Sequence, residues 1–165
     1  MSELADLLER FRRGAEVLSV VTTGVAGLEQ DFKPSEKAWS IRQVVCHLAD
    51  SEAVAVMRLR QVAAEDNPTL QAFNGESWAD HLDYGKRKIS GVIETFRRLR
   101  TENYEMLKDL PEEAFARAGN HTESGRVTLL DLVNGNSSHV EEHVQQIQRN
   151  RAAYREHRAK LQTAS

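Results

Sequence analysis

Four long stretches of the chain place apolar residues at steps of three and four, which is the period of an amphipathic helix. They cover residues 3–28, from Ser40 to near Glu65, from about Tyr84 to Leu110, and from Thr128 onwards. No stretch shows the alternation of apolar and polar residues that is typical of a strand. The pattern predicts an all-α fold, a four-helix bundle with long crossover connections.

Two of the predicted helices begin with a capping box. In this motif the side chain of the first residue accepts a hydrogen bond from the backbone N–H three residues later, and the side chain of that later residue accepts one from the backbone N–H of the first. These pairs are Ser40 with Gln43 and Thr128 with Asp131. Asn134-Gly135-Asn136 is a turn signal inside the fourth stretch. The apolar stripe keeps its phase across it, so we predict one continuous helix, at a cost of about 1 kcal/mol for the glycine.

The connections carry less information than the helices. Residues 66–83 show no sustained period but hold Phe73 and Trp78, and connections of this length are either functional or mobile. Pro111 is expected to begin a short helix, which the polar loop 119–125 follows. The two aromatic side chains either line a pocket or anchor the loop to the core.

Length and charge exclude several functional classes. The 165 residues predict a single domain over 1–165. A net charge of −3, with no aromatic residues between the basic clusters, gives no reason to expect a nucleic-acid partner.

No apolar run reaches the roughly 18 residues that span a membrane, and the start lacks the order of a signal peptide. The single cysteine, Cys46, fits a reducing compartment, so we expect a cytoplasmic protein.

The candidate chemistry lies at His139 and His143, which are four residues apart and share one face of the last helix. Two imidazoles so placed can reach one divalent ion. His47 lies at the edge of the apolar stripe of the second helix, and facing helices in a bundle are about 8–10 Å apart. It can therefore supply a third nitrogen and leave open coordination positions, as catalytic sites do. The alternative is a chance pair and a partly buried His47 bonded to a neighbour.

Three further residues are candidates for orienting an imidazole or a bound water molecule: Asp50, Asn136 and Glu142. Asp50 lies three residues after His47, and a solvated Asp50 is an equal alternative. Glu142 also completes a match to the inverted zinc-peptidase motif, as its general base, but the small bundle lacks the context of such peptidases. Cys46 is expected to be a small buried thiol rather than a nucleophile.

Three motifs together resemble the DinB-like superfamily, and most closely its YfiT type of metal-dependent hydrolases. They are Trp39-Ser40-Ile41-Arg42-Gln43, His47-Leu48-Ala49-Asp50-Ser51-Glu52, and His139-x-x-x-His143 with Gln146-Ile147. The resemblance extends from Leu4 to about Tyr154. It implies that His47, His139 and His143 hold a divalent ion, nickel or zinc, in a bundle that often forms homodimers and acts on a small molecule.

Such an ion lowers the pKa of bound water towards 7, which leads to hydrolysis. It can instead bind a thiol as the nucleophilic thiolate, and the family includes transferases that use bacillithiol, mycothiol or glutathione. We expect the hydrolase, with the thiol S-transferase as the alternative and a non-catalytic metal- or ligand-binding dimer as the competing class. The candidates for an acid or base are Asp50, Glu52 and Glu142, and the catalytic residues are not identified.

Overall fold

The computed structural model describes residues 2–163. Its helices are α1 (Glu3–Val21), α2 (Ile41–Ala64), the short α3 (Gly75–His81), α4 (Ile89–Lys108) and α5 (Leu129–Thr163). All but α3 form the bundle, in which α1 and α2 each pack against both α4 and α5. The predicted four-helix bundle is confirmed. None of these helices is long and apolar enough to cross a membrane.

Both predicted capping boxes are present. The Ser40 hydroxyl accepts from the Gln43 amide at 3.2 Å, and the Ser40 amide donates to the Gln43 side chain at 3.0 Å. Thr128 and Asp131 exchange the equivalent bonds at 2.9 and 3.0 Å. Helix α5 continues through Gly135, as the phase of its apolar stripe predicts.

Two helix ends differ from the prediction. Helix α1 ends at Val21 rather than at residue 28, because Gly24 and Gly27 take φ values of +77° and +56° in the left-handed region. Helix α4 begins at Ile89 rather than Tyr84, since residues Tyr84–Lys86 form a separate 3₁₀ turn. The spacing of apolar residues continues past both helix ends. It carries no information on backbone dihedral angles, so the prediction placed these ends too far out.

The expectation of no strands is wrong in the two connections. Strands β1 (Thr69–Leu70), β2 (Ala118–His121) and β3 (Gly125–Thr128) form one small sheet in the order β1-β2-β3. The predicted polar loop 119–125 is in fact most of the antiparallel β2–β3 hairpin, and β1 pairs with β2 in parallel. Strands of two to four residues are too short for alternation to be detected.

A buried ion pair joins three helices of the bundle. Arg100 of α4 donates to both carboxylate oxygens of Glu52 of α2 at 3.0 and 2.7 Å, and to the Phe11 carbonyl of α1 at 3.0 Å. Asn103 donates to the same carboxylate at 2.9 Å. Both charged side chains are only 1% exposed. Glu52 is therefore fully engaged in the core and is not free to act as an acid or base.

Candidate metal centre

Three imidazoles from two helices meet at one point. His47 comes from α2, and His139 and His143 come from α5; one ring nitrogen of each lies within 4.8 Å of the other two. The Nε2 atom of His139 is 3.0 Å from Nε2 of His47 and 3.1 Å from Nε2 of His143. Two neighbouring ligands at about 2.05 Å from an ion are about 2.9 Å apart in octahedral and about 3.3 Å apart in tetrahedral geometry. The nitrogen spacing fits one first-row divalent ion.

Gln146, one turn after His143, sets the orientation of that ring. The Nδ1 atom of His143 lies 2.7 Å from Oε1 of Gln146. Because an amide oxygen can only accept, Nδ1 carries the proton and Nε2 keeps its lone pair. The lone pair therefore points towards the other two rings, as a metal ligand requires.

Burial keeps the rings neutral. Desolvation, with a smaller contribution from the neighbouring imidazoles, lowers the pKa of His47 to about 4 and that of His139 to about 3. Desolvation also lowers the pKa of His143, although the bond to Gln146 opposes it. Neutral imidazole is the form that binds a metal ion, so at neutral pH the cluster offers its nitrogens without first losing protons.

Trp39 and Gly75 confine the His47 ring. The Trp39 ring centroid is 5.0 Å from that of His47, and Trp39 also stacks on His143 with an interplanar angle of 10°. A Cβ atom at Gly75 would lie 2.9 Å from Cε1 and 3.1 Å from Nδ1 of His47. The site therefore depends on a glycine at the first position of α3.

A pocket of about 260 Å³ opens beside the rings, between α2 and α5. Helix α2 lines it with His47, Ser51, Ala55 and Arg58, helix α5 lines it with Asp131, Leu132, Gly135, Asn136 and His139, and Phe73 covers part of it. The Ser51 hydroxyl is 3.5 Å from Nε2 of His47. Two of the three histidines, His47 and His139, thus border a space that a small molecule can enter.

The three predicted orienting residues lie in different surroundings. Asn136 lines the pocket and donates to the Leu132 carbonyl at 2.8 Å. Asp50 accepts from the Tyr84 hydroxyl at 2.7 Å and from Arg87 at 2.9 Å, so its carboxylate is paired with protein groups, and 18% of the side chain is exposed. Glu142 is exposed and does not line the pocket. Their roles at the centre stay predictions.

The other titratable candidates lie outside the cluster. His81 and His157 are exposed, and His121 accepts the amides of its own hairpin turn. Cys46 is fully buried, as predicted, and desolvation raises the pKa of its thiol to about 11. Of the two loop aromatics, Phe73 lines the pocket, whereas Trp78 contacts Phe73 from outside it.

Arg58 and Gly75 are residues of the site that the sequence reasoning did not identify. Arg58 follows His47 by 11 residues, which is about three turns, so helical geometry places both on one face of α2. That spacing was a usable signal. Gly75 carried none, since its closeness to His47 depends on the path of the 66–83 connection.

Comparisons with known proteins show which family this chain belongs to. The family model described as the DinB superfamily matches residues 10–147. "Putative metal-dependent hydrolase OB0782" of Oceanobacillus iheyensis is 32% identical over 55% of this chain and 52% of its own length. YfiT of Bacillus subtilis, whose name carries the same description, is 25% identical over 67% of this chain and 65% of its own length. The chain thus spans less than two thirds of either relative.

Two solved structures share the fold. The structure of Bacillus subtilis YfiT, described as an unusual four-helix bundle topology, matches with a TM-score of 0.84 at 20% identity, over 91% of this chain and 87% of that one. The four-helix bundle protein TT2238 matches with a TM-score of 0.60 at 18% identity, over 87% and 97%. The match of the family model over most of the chain shows that this protein belongs to the DinB superfamily.

Proposed function

We propose that this protein is a metal-dependent hydrolase of a small molecule, in which His47, His139 and His143 hold a divalent ion, zinc or nickel. The observation that carries the proposal is the convergence of the three Nε2 atoms, at 3.0 and 3.1 Å, next to an open pocket that His47 and His139 line. The names of the relatives support the same class. The proposal includes a cytoplasmic location and a homodimer, with no nucleic-acid or membrane partner.

Each side chain around the proposed metal ion has its own role. When bound, the ion supplies Lewis acidity to an oxygen or sulfur atom in the pocket. Gln146 keeps the proton of His143 on Nδ1, and Trp39 covers two of the rings and limits the access of water. The Ser51 hydroxyl, 3.5 Å from Nε2 of His47, is placed to orient a molecule in the pocket.

A thiol S-transferase is the second candidate, and the state of the carboxylates favours it. Asp131, the carboxylate that lines the pocket, accepts from the Thr128 amide at the start of α5. Asp50 and Glu52 are held by arginines elsewhere. A thiol with a pKa of about 8.5 ionises more readily than water and has less need of a base. A low-molecular-weight thiol therefore suits a pocket whose acidic groups are engaged.

Metal content tests the centre. We expect protein purified without a histidine tag to carry close to one divalent ion per chain by elemental analysis, and His47→Ala and His143→Ala to lose it. His81→Ala is the matched control, because it removes an exposed histidine and should leave the metal content unchanged. Retention of the ion in His47→Ala would reject the centre built from two helices.

Activity distinguishes the candidate functions. Hydrolysis of simple esters that is lost with the metal supports the hydrolase. Consumption of a low-molecular-weight thiol with an electrophile, without ester hydrolysis, supports the transferase. Metal binding without either activity leaves a binding protein and rejects both enzymes. Light scattering at micromolar concentration tests the homodimer, for which a monomeric mass is the contrary result.

A further inference from the structure

Arg58 is a cation in the wall of the pocket. It forms none of the ion pairs found among residues 2–163. Its Nη2 atom donates to the Gln71 carbonyl at 2.7 Å, and its guanidinium lies 5.8 Å from the centre of the Phe73 ring. These contacts fix the position of the guanidinium, and neither of them is with an acidic group.

One donor of Arg58 is buried and unsatisfied. Its Nε atom is removed from solvent and has no hydrogen-bond partner in the described part of the chain. Buried donors without a partner are rare in native proteins and call for an explanation, such as a bound ligand. Desolvation also lowers the pKa of this side chain, and a smaller effect of the Glu123 charge raises it. An anion bound at the guanidinium would offer an acceptor and a negative charge to a side chain that is only partly satisfied.

The same helix face carries both Arg58 and the metal centre. His47, Ser51, Ala55 and Arg58 stand at successive steps of four, four and three residues along α2, and all line the pocket. Eleven residues rise by about 16 Å, and a helical side chain leans towards the N-terminus, which brings Arg58 towards His47. The Phe73 ring lies near both side chains: its centroid is 6.5 Å from that of His47 and 5.8 Å from the Arg58 guanidinium.

We propose that Arg58 binds a carboxylate of the substrate while the reacting group of the same molecule lies at the three histidines. The inference rests on the proposed function and adds a substrate class to it: small molecules with an anionic end several bonds from the reacting atom. A monoanion is favoured over a phosphate dianion, since the residues that line the pocket include one arginine, Arg58, and an acidic residue, Asp131. An arginine and a carboxylate also match each other in a two-bond geometry.

Binding of simple acids to the zinc-loaded protein tests the inference without knowledge of the substrate. Calorimetric titration would compare dicarboxylates from glutarate to suberate with the monocarboxylates of equal length. One carboxylate of each probe can lie at the zinc ion, and the second carboxylate of a dicarboxylate reaches Arg58. We expect the dicarboxylate of the fitting length to bind about 10-fold tighter or better, as for a charge-assisted hydrogen bond.

The variants isolate the arginine. Arg58→Gln should abolish the dicarboxylate preference and leave monocarboxylate binding and zinc content unchanged, and Arg58→Lys should restore part of it. Arg98→Gln is the control for charge, because Arg98 is 74% exposed on α4 and lies outside the pocket. Thermal unfolding of each variant confirms that it is folded.

Failure of the inference differs from failure of the metal centre. If the protein binds zinc but shows no dicarboxylate preference at any length, or keeps the preference in Arg58→Gln, the inference is overturned and the metal centre stands. If the wild-type protein binds neither zinc nor nickel, the proposed function is rejected and the inference is rejected with it.

Discussion

The His47 ring lies between the indole of Trp39 and the backbone at Gly75, with a ring centroid distance of 5.0 Å to the former. Its Nδ1 atom is buried and without a hydrogen-bond partner in residues 2–163. His143 is oriented by Gln146, whereas His47 is oriented by packing. The position of His47 therefore depends on the shape of its surroundings, and a single added methyl group should disturb it.

Gly75→Ala should displace His47, because the new Cβ atom would lie 2.9 Å from the ring. We expect zinc affinity to fall about 10- to 100-fold, the usual range when support for a ligand is lost. Competition with a chelating dye measures this. Gly91→Ala is the control, since a Cβ atom there meets nothing within 4 Å. Equal affinities for the two variants would contradict the role of Gly75.

Cys46 should be unreactive in the native protein. It is fully buried, and burial raises the pKa of its thiol to about 11, so the thiol stays protonated at pH 8. We expect a disulfide reagent such as Ellman's to modify it only after guanidinium unfolding. Modification of the folded protein at the rate of a free thiol would show that this region opens, and would make Cys46 a candidate nucleophile.

At the scale of elements, α5 contains a glycine, Gly135, at an interior position where a glycine lowers the stability of a helix. Gly135 is exposed in the helix interior, and a Cβ atom there meets nothing within 4 Å. Gly135→Ala should raise the free energy of unfolding by about 0.5–1 kcal/mol. Denaturant unfolding measures the change. Destabilisation would mean that the backbone at Gly135 is not helical.

The same position tests the pocket, because Gly135 lines it. Its small size leaves room next to His139, one turn along α5. We expect Gly135→Leu to retain the metal ion and to lower the affinity of any molecule that binds in the pocket. Unchanged binding of the preferred dicarboxylate in Gly135→Leu would place that molecule outside the pocket.

The pair Arg100–Glu52 holds α2 and α4 together with α1. Removal of one partner leaves a buried charge, so Arg100→Met should cost about 3–5 kcal/mol of unfolding free energy. The double variant Arg100→Met, Glu52→Leu should recover much of that loss, because no unpaired charge remains. Urea denaturation of the four proteins in the cycle measures it. A double variant as unstable as the sum of its parts would contradict the explanation.

At the scale of the whole molecule, the features that could be predicted from the sequence are those that depend on helical spacing and on local capping chemistry. The four bundle helices, both capping boxes and the continuous α5 follow from spacing and from local side-chain chemistry. The meeting of His47 with His139 followed from the side on which each lies in its helix and from the closeness of helices in a bundle.

Features that depend on the path of the connections were not predictable in this way. The small sheet pairs residues 69–70 with residues 120–121, which are distant along the chain. The contact of Gly75 with His47 and the cover that Phe73 gives to the pocket depend on that same path. Helical spacing could have placed Arg58 on the same face of α2 as His47. That its Nε atom has no hydrogen-bond partner in residues 2–163 is seen only in the three-dimensional structure. The single-domain organisation over 1–165 stays a prediction.

The central claim is that His47, His139 and His143 hold one ion together. The most direct measurement is an anomalous difference map from crystals of the zinc-loaded protein, collected at the zinc absorption edge. We predict one strong peak at about 2.1 Å from the Nε2 atoms of all three residues. A peak bound by only two of these histidines, or by residues elsewhere in the chain, would contradict it.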